Sequence, residues 1–331
     1  MIQLVNQKSS HCSIELFAGA GLLGQAFREF GFHARLAVEA DARARATYSA
    51  NVGADAMRID AREICEDIPC SVLIAGPPCQ GFSTLGKRDR FDERNSLSLC
   101  VAEWAASSAP DVVVVENVPP FLETRYWQTL RRRMHRQSYK STHWVLNAAD
   151  FGAPQLRVRA FALFSRIGLP ERPDPTVERH RTVREAFADL PLKPSGQGLH
   201  VAPDPGALAL ARFKVIPLNG DKRDVMRHAP ELCPPSWLRM GTQATDVWGR
   251  MELDAPANTL RCSFQNASKG RYVHPTEHRV LTLREGARLQ GVPDEWKFFG
   301  DRSSIARQIG NGVPLDLGRA VARSVSKLFK Q

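Results

Sequence analysis

The sequence lacks the patterns that mark several common classes of protein. It contains no CxxC pair, and its seven cysteines are odd in number and irregularly spaced, so a structural zinc site or any other bound metal is not expected. It shows no basic and apolar leader and no apolar run of 18 residues, which are the marks of secretion and of a membrane span. We therefore expect a soluble, reduced, intracellular protein with no membrane partner.

Acidic residues are in the minority, with 35 Asp and Glu against 45 Lys and Arg and a net charge of +10. A basic chain suits an anionic partner, and nucleic acid is the first candidate. The charge alone fits a basic soluble protein without such a partner about as well. The hydrophobic fraction of 43% allows a real core, and 331 residues suffice for two domains or one large one.

Apolar runs alternate with helical patterns between residues 13 and 165. The runs predict strands at 13–17, 36–38, 72–75, 112–115 and 161–164, and the patterns predict helices at 22–30, 42–51 and 97–107. Four consecutive valines at 112–115 favour a parallel strand that is covered on both faces. This order predicts an α/β fold with a doubly wound, Rossmann-like sheet.

The character of the chain changes near Gly168. From there to about residue 275, prolines and glycines are frequent and long helical periodicity is absent. This composition predicts a smaller, loop-rich domain with short strands. Regular helical patterns return at 282–290 and 315–329.

A GxGxxG pattern, Gly19-Ala20-Gly21-Leu22-Leu23-Gly24, follows the first predicted strand and opens the first predicted helix. Glu39 lies twenty residues after Gly19, where an acidic side chain can hold ribose hydroxyls. Asp60 could accept a hydrogen bond from an adenine amine. Together they indicate an adenosine-containing cofactor, either a nicotinamide dinucleotide or S-adenosylmethionine. A glycine turn that serves only strand–helix packing is the alternative.

Cys79 lies on a stiff turn after the predicted strand 72–75. Pro77 and Pro78 end that strand, and Gly81 lets the backbone bend behind the cysteine. A thiol held in this way is a candidate nucleophile. A small buried core thiol is the alternative, and composition alone favours it.

Two more polar groups lie near the same edge of the predicted sheet. Glu116 directly follows the four valines, in a position where burial can raise its pKa enough for it to donate a proton. Arg157 and Arg159 stand at the start of the predicted strand 161–164. In doubly wound sheets this edge is where ligands bind.

At these residues the chain resembles the cytosine-C5 DNA methyltransferases, and the resemblance covers nearly all of it. Segments that resemble the family's successive blocks occur in the family's order, and 247–261 with 270–275 resemble its bacterial branch. The six blocks are 14–24 (IELFAGAGLLG), 76–83 (GPPCQGFS), 116–118 (ENV), 155–159 (QLRVR), 279–296 and 308–314 (QIGNGVP).

The resemblance implies methyl transfer from S-adenosyl-L-methionine to C5 of a flipped-out cytosine in double-stranded DNA, leaving S-adenosyl-L-homocysteine. Cys79 would attack C6, Glu116 would protonate or hydrogen-bond N3, and Arg159 would hold O2, with Arg157 also in the catalytic set. A neutral pyrimidine needs its developing negative charge stabilised, and a base inside a duplex must leave the stack to be reached.

The resemblance also implies the binding residues. Ala40 follows Glu39 where the family often has an aromatic residue that stacks on adenine, so weaker cofactor affinity is expected. The implied cofactor residues are Phe17, Ala18, Gly19, Gly21, Gly24, Glu39, Asp60, Pro78, Asn311 and Val313. The implied DNA-binding residues are Gln80 next to Cys79, then Ser83, Lys87, Arg88 and Arg90 in a closing loop at 83–95, and Gln265, Asn266 and Arg271 in a base-reading loop. The arginine-rich segment 125–140 fits a solvated helix face as well as a DNA contact.

The expected domains are a catalytic domain at 1–183 and 303–331, a target-recognition domain at 184–275 and a hinge region at 276–302. We expect a monomer in a prokaryotic cytoplasm, associated with the nucleoid through DNA. A restriction or phage-defence system is a possible setting.

Three other functions remain open at this point. The RNA branch of the family carries a Cys-Phe-Thr signature that is absent from residues 168–275. A nicotinamide oxidoreductase would use the glycine loop and Glu39 but leaves Cys79, Glu116 and the arginines unexplained. A DNA-binding protein that has lost catalysis would not be expected to keep Cys79, Glu116 and Arg159.

Overall fold

A computed structural model of the chain describes residues 11–64, 68–78, 93–194, 196, 198–240, 243 and 246–330. Cys79 and most of the predicted closing loop lie outside these residues. The strands are β1 (His11–Leu16), β2 (Phe32–Val38), β3 (Ala56–Arg58), β4 (Val72–Ala75), β5 (Val112–Asn117), β6 (Lys140–Asn147) and β7 (Val158–Ser165). The helices are α1 (Leu22–Glu29), α2 (Ala42–Asn51), α3 (Cys100–Ser108), α4 (Arg125–Arg136), α5 (Val183–Phe187), α6 (Gly206–Val215), α7 (Lys222–His228), α8 (Pro235–Met240), α9 (Leu283–Leu289), α10 (Arg302–Asn311) and α11 (Leu315–Ser326).

The seven described strands form one sheet in the order β3-β2-β1-β4-β5-β7-β6. The first five are parallel, and β7 runs antiparallel to both β5 and β6. The doubly wound α/β prediction is confirmed. The three-residue strand β3 was not predicted, and two further differences concern β6 and β7. The sequence analysis missed β6, whose polar residues Lys140 to His143 hide the strand pattern, and it did not foresee that β7 runs antiparallel.

The central strands are buried because both of their faces are covered. All four residues of β4 and the four valines of β5 are at most 1% exposed. On one face, Leu73, Val113 and Val115 pack with Trp104 of α3 and Leu130 of α4. The continuous valine run therefore forms the parallel strand that its lack of polar alternation predicts.

The chain divides into two compact units. Unit 1 comprises Met1–Asn147, Val158–Pro175 and Leu315–Gln331, and it contains the whole sheet. Unit 2 comprises Ala148–Arg157 and Thr176–Pro314. In unit 1, α1 and α11 pack closely: a Cβ on Gly318 would lie 2.9 Å from Ala26 Cβ.

Unit 2 is held together by loops and short helices. Its described residues form isolated bridges in place of the short strands that the sequence analysis expected. Arg250, which is 2% exposed, donates hydrogen bonds to the carbonyl oxygens of Phe213, Ile216, His274 and Glu277. A buried guanidinium thus satisfies backbone groups that a strand ladder would otherwise satisfy.

No helix among the described residues is both long and apolar enough to cross a bilayer.

Candidate functional site

The glycine loop between β1 and α1 is fixed at its start by Glu39. The Gly19 amide donates to Glu39 Oε2 at 2.8 Å, and the Asp41 amide donates to Glu39 Oε1 at 2.8 Å. Gly19 has φ of +56°, and a Cβ there would meet no heavy atom within 4 Å. The loop therefore presents backbone to open space, as a site for a phosphate or an adenosine requires.

The other end of the loop is fixed by Glu15, a residue that the sequence analysis missed. Glu15 lies in β1 at 3% exposure, and its Oε1 accepts a hydrogen bond from the Gly24 amide at 3.1 Å. A Cβ on Gly24 would lie 2.1 Å from Glu15 Oε2 and 3.1 Å from the Tyr48 hydroxyl. Gly24 is thus required by close packing. The signal for Glu15 was a lone charged residue inside an otherwise apolar predicted strand.

Burial raises the pKa of Glu15 to about 8, and the nearby charge of Glu39 adds to the rise. The Tyr48 hydroxyl and the Gly24 amide act in the opposite direction but do not offset burial. The carboxyl is therefore mostly protonated at neutral pH. Tyr48 is itself fully buried, and its pKa is raised well above its ordinary value by burial and by Glu15.

The remaining predicted cofactor residues of unit 1 lie in the glycine loop or follow strands of the sheet. Phe17 follows β1 with φ of +58°, and the Ala18 amide donates to the Val38 carbonyl at 3.0 Å. Gly21, with φ of +89°, packs so closely that a Cβ would lie 2.6 Å from Val52. Asp60 follows β3, and hydrogen bonds from Arg62 lower its pKa to about 2. Its carboxylate is charged and already accepts the Arg62 guanidinium.

The backbone that leads to Cys79 is anchored on both sides. The Gly76 amide donates to the Leu16 carbonyl at 3.2 Å, and the Asn117 side-chain amide donates to the Pro77 carbonyl at 3.3 Å. Pro78 is the last residue described before the gap. Of the predicted site residues, Cys79, Gln80, Ser83, Lys87, Arg88 and Arg90 lie outside the described part of the chain.

Glu116 and Arg159 meet at the same edge of the sheet. Arg159 Nε lies 3.0 Å from Glu116 Oε1, and each side chain is 14% exposed. Glu116 is in β5 and Arg159 in the neighbouring β7, whose antiparallel direction brings the start of β7 beside the end of β5. A Cβ on Gly76 would lie 3.8 Å from Glu116 Oε2, so the pair stands beside the segment that leads to Cys79.

Three of the predicted catalytic and cofactor residues belong to unit 2. Arg157 is 2% exposed and donates to the carbonyl oxygens of Leu260 and Gly310 at 2.8 and 2.9 Å. Asn311 ends α10, and its Oδ1 accepts a hydrogen bond from the Cys262 thiol at 2.7 Å. Val313 is buried. The structure therefore gives Arg157 contacts that tie backbone segments of unit 2 together.

The predicted base-reading residues are engaged within unit 2. Gln265 donates to the Leu281 carbonyl and accepts from Arg302 Nε at 2.7 Å. Asn266 caps a short helical turn by accepting from the Ser268 amide. Arg271 donates to three carbonyl oxygens, of which Arg250 O lies at 2.8 Å. To use all of its polar groups on a base, each of these side chains would have to break hydrogen bonds within unit 2.

Helix α4 presents a basic face. It buries Trp127, Leu130 and Met134 and exposes Arg131, Arg132 and Arg136. Such a face is what a solvated amphipathic helix shows, whether or not DNA approaches it.

Comparison with known proteins gives a single family. A family model described as C-5 cytosine-specific DNA methylase matches residues 12–327. The chain is 30% identical over 335 residues to the Type II methyltransferase M1.HphI of Haemophilus parahaemolyticus, with 95% of this chain and 86% of that protein covered. It is 29% identical to M.DdeI of Desulfomicrobium norvegicum, with 96% and 89% covered.

Solved structures give the same fold. One is a candidate DNA modification methyltransferase encoded within an E. coli prophage, with a TM-score of 0.71 at 23% identity over 97% of this chain and 100% of that one. Another is the Dnmt2 methyltransferase of S. pombe, with a TM-score of 0.60 at 17% identity over 97% and 98% of the two chains.

Proposed function

Because the chain belongs to the family of C-5 cytosine-specific DNA methylases and is a DNA cytosine-5-methyltransferase, we propose that it methylates C5 of a flipped-out cytosine within a specific double-stranded DNA sequence. The methyl donor is S-adenosyl-L-methionine, and the reaction passes through a covalent bond between Cys79 and C6. The observation that carries this proposal is the Glu116–Arg159 pair, which stands beside the anchored segment that leads to Cys79.

The glycine loop fits an adenosine-containing cofactor. The open space at Gly19 leaves its backbone accessible to a ligand, and the close packing at Gly21 and Gly24 holds the rest of the loop against the protein. Phe17, Ala18, Glu39, Asp60 and Pro78 complete the proposed site in unit 1. The family resemblance also proposes Asn311 and Val313 as cofactor-binding residues. Bound S-adenosyl-L-methionine supplies an electrophilic methyl group and becomes S-adenosyl-L-homocysteine.

Cys79 is the proposed nucleophile. Its thiolate forms a bond to C6, and the electron pair of the C5–C6 double bond moves to C5. C5 would then take the methyl group as the bond between the methyl carbon and the sulfonium sulfur of the donor breaks. Removal of the C5 proton restores the double bond and expels the cysteine as a thiolate, so the enzyme is regenerated. The thiolate form is required because the neutral thiol is a weak nucleophile.

Glu116 and Arg159 stabilise the charge that attack at C6 places on the ring. Glu116 hydrogen-bonds or protonates N3, and Arg159 donates to O2. Their ion pair holds both groups at the sheet edge before substrate binds, and preorganised donors of this kind account for much of the rate in such reactions. Arg157, which holds the carbonyls of Leu260 and Gly310, acts as a positioning residue.

The target base must leave the duplex, which costs a few kcal/mol. We assign the contacts that offset this cost to the closing loop and to the smaller domain. Ser83, Lys87, Arg88 and Arg90 are proposed for the loop, together with Gln80 next to Cys79. Residues 184–275 are proposed as the target-recognition domain, 276–302 as the hinge, and 1–183 with 303–331 as the catalytic domain.

The setting is also a proposal. Relatives named Type II methyltransferases support a role beside a restriction enzyme. We propose a monomer that acts in the cytoplasm and is associated with the nucleoid through DNA.

Methyl transfer from tritiated S-adenosyl-L-methionine to mixed-sequence DNA tests the proposal. Wild type should place label at C5 of cytosine, and Cys79→Ser should keep DNA binding but lose transfer. Cys233→Ser is the matched control, since Cys233 is a partly buried thiol elsewhere in the chain, and it should retain full activity. Label in RNA and not in DNA, or full activity in Cys79→Ser, would contradict the proposal.

A further inference from the structure

Unit 2 contains a polar cleft of about 300 Å³. Its lining includes Asp246, Asn258, Arg261, Arg271 and Tyr272. All five belong to unit 2, and the proposed methyltransfer chemistry uses none of them. A concave surface with a few convergent polar groups is the usual form of a recognition site.

The wall of the cleft is rigid. The Tyr272 hydroxyl accepts from the Arg261 amide at 3.0 Å and donates to the Thr259 carbonyl at 2.9 Å. Tyr272 is 1% exposed. These two bonds fix the backbone on either side of Leu260, so the neighbouring side chains are presented from a fixed frame.

Asn258 is presented from that frame with its amide available. The residue before it, Ala257, is 1% exposed and donates its amide to the Pro154 carbonyl at 2.9 Å. Two residues after it, the buried Leu260 donates its amide to Gln155 Oε1 at 2.7 Å. The Asn258 side chain is exposed and makes no hydrogen bond with any residue that the structure describes. A primary amide held in this way can pair with the N6 and N7 edge of adenine.

Arg261 and Asp246 form a second group in the cleft. Arg261 Nη2 lies 3.2 Å from Asp246 Oδ2, with the side chains 35% and 41% exposed. Arg261 Nη1 donates to the Lys269 carbonyl at 2.7 Å, which fixes the direction of the guanidinium. A carboxylate at this position opposes phosphate binding. Guanidinium and carboxylate together match a G·C pair, because arginine donates to guanine O6 and N7 and a carboxylate accepts from cytosine N4.

The predicted readers Gln265 and Arg271 differ from this set. Their polar groups bond to Leu281, Arg302 and backbone carbonyls of unit 2. A side chain whose donors are already satisfied gains little by meeting a base edge. Asn258 differs in this respect, because its amide makes no hydrogen bond with a residue that the structure describes. Arg261 and Asp246 already bond to each other and both line the cleft, so they can meet a base pair as a unit.

We infer that this cleft reads base pairs of the recognition sequence, with Asn258 specifying an A·T pair and Arg261 with Asp246 specifying a G·C pair. The inference rests on the proposed function, since it concerns the DNA that the enzyme methylates. It assigns sequence specificity to three residues outside the 263–271 loop that the sequence pattern indicated.

Bisulfite sequencing of DNA from a bacterial host without its own cytosine methylation tests the inference. Wild type should methylate one motif that contains an A·T and a G·C pair besides the target. Asn258→Ala should widen the motif at the A·T position, with discrimination there falling by roughly 5- to 150-fold. The double variant Asp246→Asn, Arg261→Ala should widen the G·C position alone. Lys214→Ala removes an exposed charge of α6 and should keep the motif.

A binding measurement covers variants that methylate poorly. Dissociation constants for purified protein are compared on cognate duplexes with one pair substituted at a time. Asn258→Ala should lose discrimination at the A·T position and keep it elsewhere. If it keeps wild-type discrimination at every position, the inference is wrong. If wild type itself methylates no cytosine, the proposed function fails instead, and the binding data still report on the cleft.

Discussion

Replacing Glu15 by glutamine tests how a buried carboxyl supports the glycine loop between β1 and α1. Glutamine keeps the shape of the side chain and an oxygen that can accept from the Gly24 amide, but it cannot ionise. Wild-type Glu15 has a pKa raised from 4.5 to about 8 because it is buried. In the unfolded chain the same group ionises near its ordinary value.

The sign of the pH effect follows from these two values. Between pH 4.5 and about 8, folded Glu15 holds a proton that the unfolded chain has lost. The free energy of unfolding contributed by this group therefore falls as the pH rises through this window. From about pH 5.5 to about pH 8.5 the loss amounts to about 3 kcal/mol at 1.36 kcal/mol per pKa unit. Glu15→Gln has no such loss.

The assay is urea unfolding of both proteins at the two pH values. Other titrating groups are shared, so they cancel in the comparison. We expect the stability of Glu15→Gln relative to wild type to rise by about 3 kcal/mol between the acidic and the alkaline condition. Tyr48, Glu39 and Arg28 are the other charged or titratable groups that act on this site, and all three remain in both proteins. Equal pH dependence in the two proteins would refute the reasoning, because Glu15 would then ionise alike when folded and unfolded.

Two further predictions concern unit 2. Burial lowers the pKa of His274 from 6.5 to about 4. On acidification the unfolded chain therefore binds a proton at this residue before the folded chain does. The free energy of unfolding of wild type should fall by about 3 kcal/mol between pH 6.5 and 4. In urea unfolding, the free energy of unfolding of His274→Asn should depend less steeply on pH than that of wild type. The same pH dependence in both proteins would contradict this prediction. Gly310→Ala would put a Cβ 2.5 Å from the Cys262 amide nitrogen and 2.6 Å from the Arg261 carbonyl. Backbone cannot move aside as a flexible side chain can, so we expect Gly310→Ala to lower the free energy of unfolding by about 1 to 3 kcal/mol or more in the same assay. Ser303→Ala, at an exposed position of the same helix, is the control for general tolerance. A neutral Gly310→Ala would show that the close approach is not needed.

The sheet was predictable because its central strands carry continuous apolar runs, and the β4 and α2 boundaries were predicted to the residue. The β6 strand was missed because its first residues are polar and only two of its eight residues, Trp144 and Leu146, are buried. The glycine loop was predictable from the spacing of three glycines. The role of Glu15 was not predictable, because its burial depends on the packing of Gly24 and Tyr48 around it.

Contacts between residues far apart in the sequence could not be predicted, for a related reason. The sequence indicated Glu116 and Arg159 as polar groups near one edge, yet their 3.0 Å contact depends on β7 running antiparallel to β5. In unit 2 the sequence offered Gln265 as a reader, and Arg302, 37 positions later, engages its amide oxygen. Such partners follow from tertiary packing, which local patterns do not encode.

The packing of α1 against α11 also determines when the segment around the glycine loop can finish folding. Arg319 of α11 binds Glu29 of α1 with Nε–Oε2 and Nη2–Oε1 distances of 2.7 and 3.0 Å, across 290 residues of chain. During synthesis, α1 is made long before α11, and all of unit 2 is made between them. Contacts of such long sequence separation slow folding and leave apolar surface exposed meanwhile. A ribosome-bound chain that ends before α11 therefore lacks the contact between Arg319 and Glu29, so α1 cannot complete its packing until α11 has emerged.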